Sequence, residues 1–399
     1  MNSSDFLIIG GGIIGVCVAR ELKKRFQDSK IILIEKEIDC GLHASGRNSG
    51  VLHAGFYYTA DSLKARFTRN GNQFLTEYCE SKNLKINKCG KLVVAKNEQE
   101  LSQLDKLLER GRKNGVYLQD LSAAEARSIE PRVKTYQRAL FSPATSTVDP
   151  KGVLQALLND ALHEGIEIRT GTRYLGRTKT GVVTSSGNID SKYVVNSAGL
   201  YADKIGRDFG FSMNHRILPF KGLYLYSSEA PGSLRTNIYP VPDLRNPFLG
   251  VHFTVTVDGL SKIGPTAIPA LWREQYCGLE NFELAELMDI IARQLGLFVF
   301  SNFDFKRLAY DEIKKYSRAN LVSQSSSLLE NVKTGNFKKW GKPGIRAQLI
   351  NLKEKKLEMD FVLEGNDQSM HILNAVSPGF TCAFPFAEYI CDQIALHLN

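Results

Sequence analysis

The chain has 399 residues, enough to bury a large core in two or three domains, and its 43% hydrophobic and 23% charged residues are ordinary for a globular protein. No run of eighteen uncharged apolar residues occurs, and the chain enters its first strand without a signal-peptide pattern, so neither a helical membrane span nor export is expected. The balance of 51 basic against 42 acidic residues gives +9, spread widely with clusters at Lys338-Lys339 and at Lys353, Lys355 and Lys356; a solvated basic surface is the plain reading, beside nucleic acid, an anionic membrane surface or an acidic substrate.

Phe6-Leu7-Ile8-Ile9 is an apolar run of buried-strand type that leads into Gly10-Gly11-Gly12-Ile13-Ile14-Gly15, a G-x-G-x-x-G pattern. Ile14, Val18, Leu22 and Phe26 then recur at helical spacing, and Ile31-Ile32-Leu33-Ile34 forms a second strand closed by Glu35 and Lys36. This strand, turn, helix and strand make a dinucleotide-binding unit. Gly10 allows the tight turn, Gly12 lets backbone approach a pyrophosphate, and Gly15 lets helix and strand pack closely. The helix start at Ile13 and Ile14 offers N–H groups to the phosphates, and Glu35 is placed for ribose hydroxyls.

Gly41 to Gly55 is a glycine-rich loop holding His43, Ser45, Arg47, Asn48, Ser49, Gly50, Val51 and His53. It is expected as irregular backbone along the cofactor, with a helical turn starting at Ser45 or Asn48. Helical spacing over 62–82 is followed by a strand at Gly90–Ala95, a helix over 98–113 and a short helix from Leu121 to near Pro131. This block looks inserted into the nucleotide-binding part. A helix from Pro150 and a strand over 166–169 return to that part, and a later strand runs into Ser197-Ala198-Gly199, where backbone can approach a ligand.

Strand signals dominate from Arg216 to Gly264, at 223–226, 237–241 and 248–254. Residues 280–330 read as helical; Leu297-Phe298-Val299-Phe300, Phe303, Phe305, Lys306 and Arg307 make an apolar and basic mixture suited to a packed helix or to a membrane surface. Strands follow at 344–349, 361–363 and 370–375, then the turn Ser377-Pro378-Gly379-Phe380 and a closing helix. The seven cysteines, Cys17, Cys40, Cys79, Cys89, Cys277, Cys382 and Cys391, form no C-x-x-C pair, so no metal site and no disulfide framework is expected, only buried thiols.

The chain resembles the D-amino-acid-oxidase-like superfamily of FAD oxidoreductases, and within it the L-2-hydroxyglutarate dehydrogenase/oxidase family. The resemblance covers nearly the whole length. It is carried by the glycine motif, by Ala44 to Gly55, by Val195-Asn196-Ser197-Ala198-Gly199 and by Pro219-Phe220-Lys221-Gly222. Tyr239-Pro240-Val241-Pro242-Asp243, Pro247 to Thr254 and Gly344-Ile345-Arg346-Ala347-Gln348 add to it. Two departures stand out. Lys221-Gly222-Leu223 replaces a pattern with an arginine and an acid, and Ser377-Pro378-Gly379-Phe380-Thr381-Cys382 replaces Ser-Pro-Ala-Ala-Thr-Ser.

The resemblance implies an α/β fold: a Rossmann-like FAD-binding domain with a discontinuous substrate domain built on a largely antiparallel sheet. The expected FAD-binding domain is 1–88, 145–215 and 341–399, and the substrate-binding domain 89–144 and 216–340. FAD is the expected cofactor, touched by the glycine motif, Glu35 and Lys36, Ser45 to Val51, Ser197 to Gly199, and Pro378, Gly379, Phe380 and Thr381. The implied reaction is oxidation of L-2-hydroxyglutarate to 2-oxoglutarate by hydride transfer to the flavin, with electrons passed to a quinone or another acceptor.

That chemistry needs a base and carboxylate anchors. His53 and His252 are the candidate bases, since neutral imidazole accepts a hydroxyl proton as hydride leaves carbon. Arg346 matches the strand position that binds a substrate carboxylate in relatives, and its planar fork suits that group. Lys221 or Arg47 would meet the second carboxylate, with Tyr57, Tyr239 and Thr254 orienting the molecule. The protein is expected in the cytoplasm, with peripheral contact at the inner face of the membrane as a further expectation. A second reading is an amine or amino-acid oxidase of the same fold releasing hydrogen peroxide. A distant third, a nucleic-acid-binding flavoprotein, lacks an aromatic–basic binding motif, so no nucleic-acid partner is expected.

Overall fold

The computed structural model describes residues 2–242, 249–300, 310 and 312–398. By internal contact the chain forms two compact units, residues 1–48, 150–219 and 346–399 in one and 49–149 and 220–345 in the other. Residues 49–88, grouped above with the nucleotide-binding part, cluster with the second unit. Val51 and Leu52 pair there with Thr147 and Ser146, and Phe56 and Tyr57 pack against Val93 and Leu140.

The first unit is built on the strand Ser3–Ile9. Ile31–Ile34 and Gly187–Asn196 flank it in parallel, so that Leu7 faces Ile32 on one side and Val194 on the other. Glu167–Arg169 extends the parallel sheet beyond Ile31–Ile34, and Ser369–Asn374 runs parallel to Gly187–Asn196. Tyr174–Arg177, Gly181–Thr184 and Val362–Gly365 add antiparallel margins. Leu7, Ile8, Ile32 and Leu33 are wholly buried. Strands covered on both faces read as continuous apolar runs, which is why these did so in the sequence. Each such side chain contributes roughly 1.5–3 kcal/mol by leaving water. The helix Ile13–Arg25 packs against Pro150–His163 and the closing helix Ala383–Leu398.

The second unit carries a long sheet in the order Phe337–Trp340, Leu225–Ser227, Ser261–Gly264, His252–Val255, Asn237–Pro240, Lys91–Val94, Arg138–Ser142, Gln119–Ser122. Among the described residues its pairings are antiparallel except that Asn237–Pro240 runs parallel to Lys91–Val94. Period-2 alternation then sorts the side chains. Leu92, Val94, Ile238, Phe253, Val255 and Ile263 fall on one face and form an apolar core with Leu321 and Val322 of the helix Arg318–Ser325. Lys91, Asn237, Tyr239, His252, Thr254 and Lys262 fall on the other.

Several elements depart from expectation. The helix placed at Leu121 begins at Ala123 instead, because Gln119–Ser122 is a strand; Ser122 caps the helix and Glu125 closes the capping box. The helical turn in the glycine loop covers Ala44–Gly46, and Val51–Leu52 is a short strand. A strand at His215–Gly222 was not anticipated. Within 280–330 the described residues include the helices Leu284–Phe300 and Arg318–Ser325, with further helical residues at 310 and 312–314. Phe303, Phe305, Lys306 and Arg307 lie outside the described residues, as do the side chains of Leu297 to Phe300 and the motif residues Asp243, Pro247 and Phe248. All seven cysteines are free thiols, but Cys277 is exposed and Cys40 and Cys89 only half-buried. No described helix is long and apolar enough to cross a membrane.

Candidate active site

In the first unit the glycine turn forms a cradle. Gly10 has φ +111°, and a Cβ there would lie 2.6 Å from the Ser197 carbonyl oxygen. A Cβ on Gly15 would lie 2.1 Å from the Gly10 carbonyl oxygen. Both positions therefore exclude any larger residue. Gly12 caps the helix Ile13–Arg25 with no side-chain hydrogen bond, and the first turn holds no acid. By helix geometry the first N–H groups have no intrahelical acceptor, and the local dipole favours an anion. The Ile13 N–H donates to Ser45 Oγ at 2.9 Å, which ties the glycine loop to the helix start and leaves Ile14 and Gly15 next in line.

Glu35 is buried at the end of its strand, accepting from the N–H of Gly11 at 2.8 Å and of Glu37 at 3.0 Å. A carboxylate has about four acceptor sites, so this pinned group keeps capacity for ribose hydroxyls. Lys36 pairs with Glu37 and lies over the Tyr201 ring. Asn48 Nδ2 donates to the Ser45 carbonyl at 2.8 Å and Arg47 Nε to that of Leu42 at 2.6 Å, so both brace the loop. Ser197 Oγ donates to the carbonyls of Ile9 and Gly10 at 3.0 and 3.2 Å, holding Ser197-Ala198-Gly199 against the turn. Asn196 takes the Ala198 N–H on Oδ1 and donates from Nδ2 to the Ala202 carbonyl, with His371 Nδ1 at 3.0 Å. Burial and the nearby Arg177 push the His371 imidazole down to about 3, so it stands neutral in this network. Pro378 to Thr381 form the turn ahead of the closing helix, where a Cβ on Gly379 would strike the Ala375 carbonyl at 2.1 Å. An acid-free helix start, a side-chain-free turn and a buried carboxylate fit a dinucleotide diphosphate and ribose.

In the second unit the polar sheet face gathers most of the remaining candidates. Since Ile238 pairs with Phe253, Tyr239 lies opposite His252; their rings stack at 3.7 Å between centroids. The His252 Nδ1 lies 2.8 Å from the Gly250 carbonyl, an acceptor only, so Nδ1 carries the proton and Nε2 is the acceptor atom. Thr254 lies opposite Lys262 in register. Lys262 Nζ donates to the Ser49 carbonyl at 3.1 Å beside the Tyr224 ring, and burial lowers it to about 8. Ser49, Gly50 and Val51, expected at the cofactor, belong to this unit.

Lys91 is wholly buried on the same face. Its Nζ lies 4.6, 4.4 and 4.9 Å from the ring centres of Phe56, Tyr57 and Tyr239 and has no hydrogen-bond partner among the described residues. His53, just upstream of Phe56 and Tyr57, is pushed down to about 3, first by burial and then by the charge of Lys91. Lys221 belongs to another sheet, opposite Ile268, where burial lowers it. Arg346 is half-buried in the first unit, on the strand Gly344–Asn351. Sequence reasoning singled out neither Lys91 nor Lys262. For Lys262 the available signal was its alternating position in Ser261–Gly264, whereas Lys91 opens an unbroken apolar run and carried no such signal.

The family model for FAD dependent oxidoreductases (DAO) matches residues 5–393. The chain is similar to a mitochondrial L-2-hydroxyglutarate dehydrogenase from Nematostella vectensis, 36% identical with 98% of this chain and 90% of that protein covered. It is likewise similar to L-2-hydroxyglutarate dehydrogenase from Escherichia coli strain K12, at 32% identity with 98% and 93% covered. Among solved structures, L-alpha-glycerophosphate oxidase from Mycoplasma pneumoniae with FAD bound shares the fold at TM-score 0.78 and 23% identity, covering 99% of this chain and 95% of that one. Glycine oxidase from Geobacillus kaustophilus does so at TM-score 0.73 and 18% identity, with 99% and 95% covered. The cradle, the mixed α/β fold and the end-to-end match agree: the chain belongs to the DAO family of FAD-dependent oxidoreductases.

Proposed function

We propose that the protein oxidises L-2-hydroxyglutarate to 2-oxoglutarate with FAD. The observation that carries the reading is the near-full-length similarity to proteins named for that activity in both animals and bacteria. The first unit holds the cofactor and the polar sheet face of the second receives the substrate. Bound FAD supplies the hydride acceptor, and the chain's residues do the rest. His53, an imidazole buried on the loop that carries Tyr57, is assigned the proton acceptor; burial keeps it neutral in the resting protein. His252 is held by the Gly250 carbonyl and the Tyr239 ring and orients the substrate hydroxyl together with Tyr57 and Thr254. Arg346 grips one carboxylate through its fork, and Lys221 answers the other. Electrons leave to a quinone, which brings the protein into peripheral contact with the inner face of a membrane.

The test is anaerobic mixing with a panel of acids. L-2-hydroxyglutarate should bleach the flavin, while its D enantiomer, glycine and monocarboxylic 2-hydroxy acids should not. Bleaching by glycine or another amino acid would instead make the protein an oxidase of amines. Flotation with vesicles and turnover with a soluble quinone analogue against oxygen test the acceptor and the membrane contact.

A further inference from the structure

The loop that follows Val51–Leu52 is buried from His53 to Tyr57, yet it belongs to no helix or sheet. A buried backbone carbonyl outside a ladder needs a partner from elsewhere, because leaving it unpaired costs about as much as a lost hydrogen bond. Here side chains of two helices supply the donors. Asn72 Nδ2, on the helix Leu63–Ser81, donates to the Leu52 carbonyl at 3.0 Å, at the entry to the loop. At the end of the helix Leu101–Lys113, Asn114 Nδ2 donates to the carbonyls of Gly55 at 2.9 Å and Tyr58 at 3.0 Å. Between those two carbonyls, Arg110 Nη1 donates to that of Tyr57 at 2.7 Å. The same helix meets the loop through apolar contact, since Leu104 and Leu107 share a core cluster with Phe56 and Tyr57.

An asparagine at a helix C-terminus ordinarily serves to end the helix, but here the backbone does that alone. Gly115 has φ +66°; its N–H donates to the Arg112 carbonyl at 3.1 Å, and the Val116 N–H donates to the Gly111 carbonyl at 2.8 Å. This pair of bonds closes the helix whatever side chain stands at 114, and the Asn114 backbone, at φ −82° and ψ 0°, suits any residue. The amide is therefore available to the loop. Arg110, one turn earlier, gains from the helix dipole, and its guanidinium is directed at the Tyr57 carbonyl. We propose that Arg110 and Asn114 are positioning residues for the reaction: the end of one helix fixes the backbone of residues 55–58, and with it the aim of His53 and Tyr57. Neither touches the substrate; each acts through the loop. The inference rests on the reading of His53 as the proton acceptor and Tyr57 as a substrate contact. Such bracing matters because a reacting group misplaced by about 1 Å loses on the order of 10²-fold in rate.

The test is a double-mutant cycle on the holoenzyme, with Asn114→Ala, His53→Gln and the two combined, read by anaerobic flavin reduction at saturating L-2-hydroxyglutarate. Asn114→Ala should slow reduction about ten- to a hundredfold with FAD content unchanged. In the His53→Gln background the same change should cost no more than about threefold, because the group it aims is already gone. Equal losses in both backgrounds, the mark of a purely structural asparagine, overturn the proposal. Amide hydrogen exchange is the second readout. In Asn114→Ala, residues 54–58 should exchange at least about tenfold faster while the helix Leu101–Lys113 keeps its protection. Unchanged protection over 54–58, or equal loosening of the helix, overturns the proposal. Should Asn114→Ala fail to fold, Arg110→Gln, at a half-buried side chain, replaces it in both measurements. Exchange needs no substrate. A protein that L-2-hydroxyglutarate does not bleach, or a His53→Gln variant as fast as the parent, would sink the assigned chemistry and leave the exchange result to decide the bracing.

Discussion

The two units solve their tasks by opposite means. In the first, the proposed cofactor cradle is made of backbone: glycines at 10 and 15 leave no room for a side chain, and Glu35 is pinned by the Gly11 N–H. In the second, the proposed substrate face is made of side chains: strand register brings Lys91, Tyr239, His252, Thr254 and Lys262 to one face, and the loop after Val51–Leu52 adds Phe56 and Tyr57 against Lys91. A site made of backbone is local in sequence and intolerant of added atoms. A site made of side chains is dispersed, and its failures are chemical.

Substitutions should divide along that line. His53→Gln in the second unit should leave the protein yellow while lowering kcat by roughly 10²–10⁴-fold, the usual worth of a positioned acid–base group, as read by stopped-flow flavin reduction. A colourless His53→Gln would erase the distinction between the units. In the first unit the sensitivity is to acid. The His371 imidazole is lower in the folded protein than in the unfolded chain, so its contribution is fully present above about pH 6.5. Below that the unfolded state binds the extra proton, and stability falls on the order of 1.4 kcal/mol per pH unit until about pH 3. Urea unfolding at pH 7, 6 and 5 should show the slope for the parent and a shallower one for His371→Gln.

Gly15→Ala should cost about 1–3 kcal/mol of overpacking against the Gly10 carbonyl, weakening FAD roughly ten- to a hundredfold. Flavin titration of the apoprotein measures it, and unchanged affinity would refute the cradle's tightness. The smallest effect is expected at Ser62, whose Oγ caps the helix Leu63–Ser81 by accepting from the Ala65 N–H at 3.1 Å. Ser62→Ala should lower stability by about 1 kcal/mol and leave FAD content alone, which a denaturant midpoint would show.

Much of the first unit was legible because its signals are local. The glycine spacing, the apolar runs and Glu35 all sit within thirty residues, and the geometry of the turn follows from steric rules alone. His252 and Tyr239 were also within reach, carried by motifs of the family. Lys91 was not. At the start of Lys91-Leu92-Val93-Val94 it reads as the solvated end of a strand, and nothing nearby announces that Tyr239 will cover it. The pairing of Asn237–Pro240 with that strand is a long-range fact that periodicity cannot supply. The same limit blurred the helix at Leu121, where a strand competes for the residues just before the cap. The strand His215–Gly222 falls in a stretch where strand signals dominate, but its internal proline kept it from being bounded as an element.

The parallel pairing of Asn237–Pro240 with Lys91–Val94 implies an order of assembly. A hairpin can zip as soon as its two arms exist, but side-by-side strands of like direction must wait for a long crossover to close, which slows folding. Until the later strand arrives, the amine of Lys91 remains hydrated and fully basic. Ordinary lysine chemistry on a refolding chain, such as acylation by a pulse of reagent, would therefore time the moment at which the second sheet becomes whole.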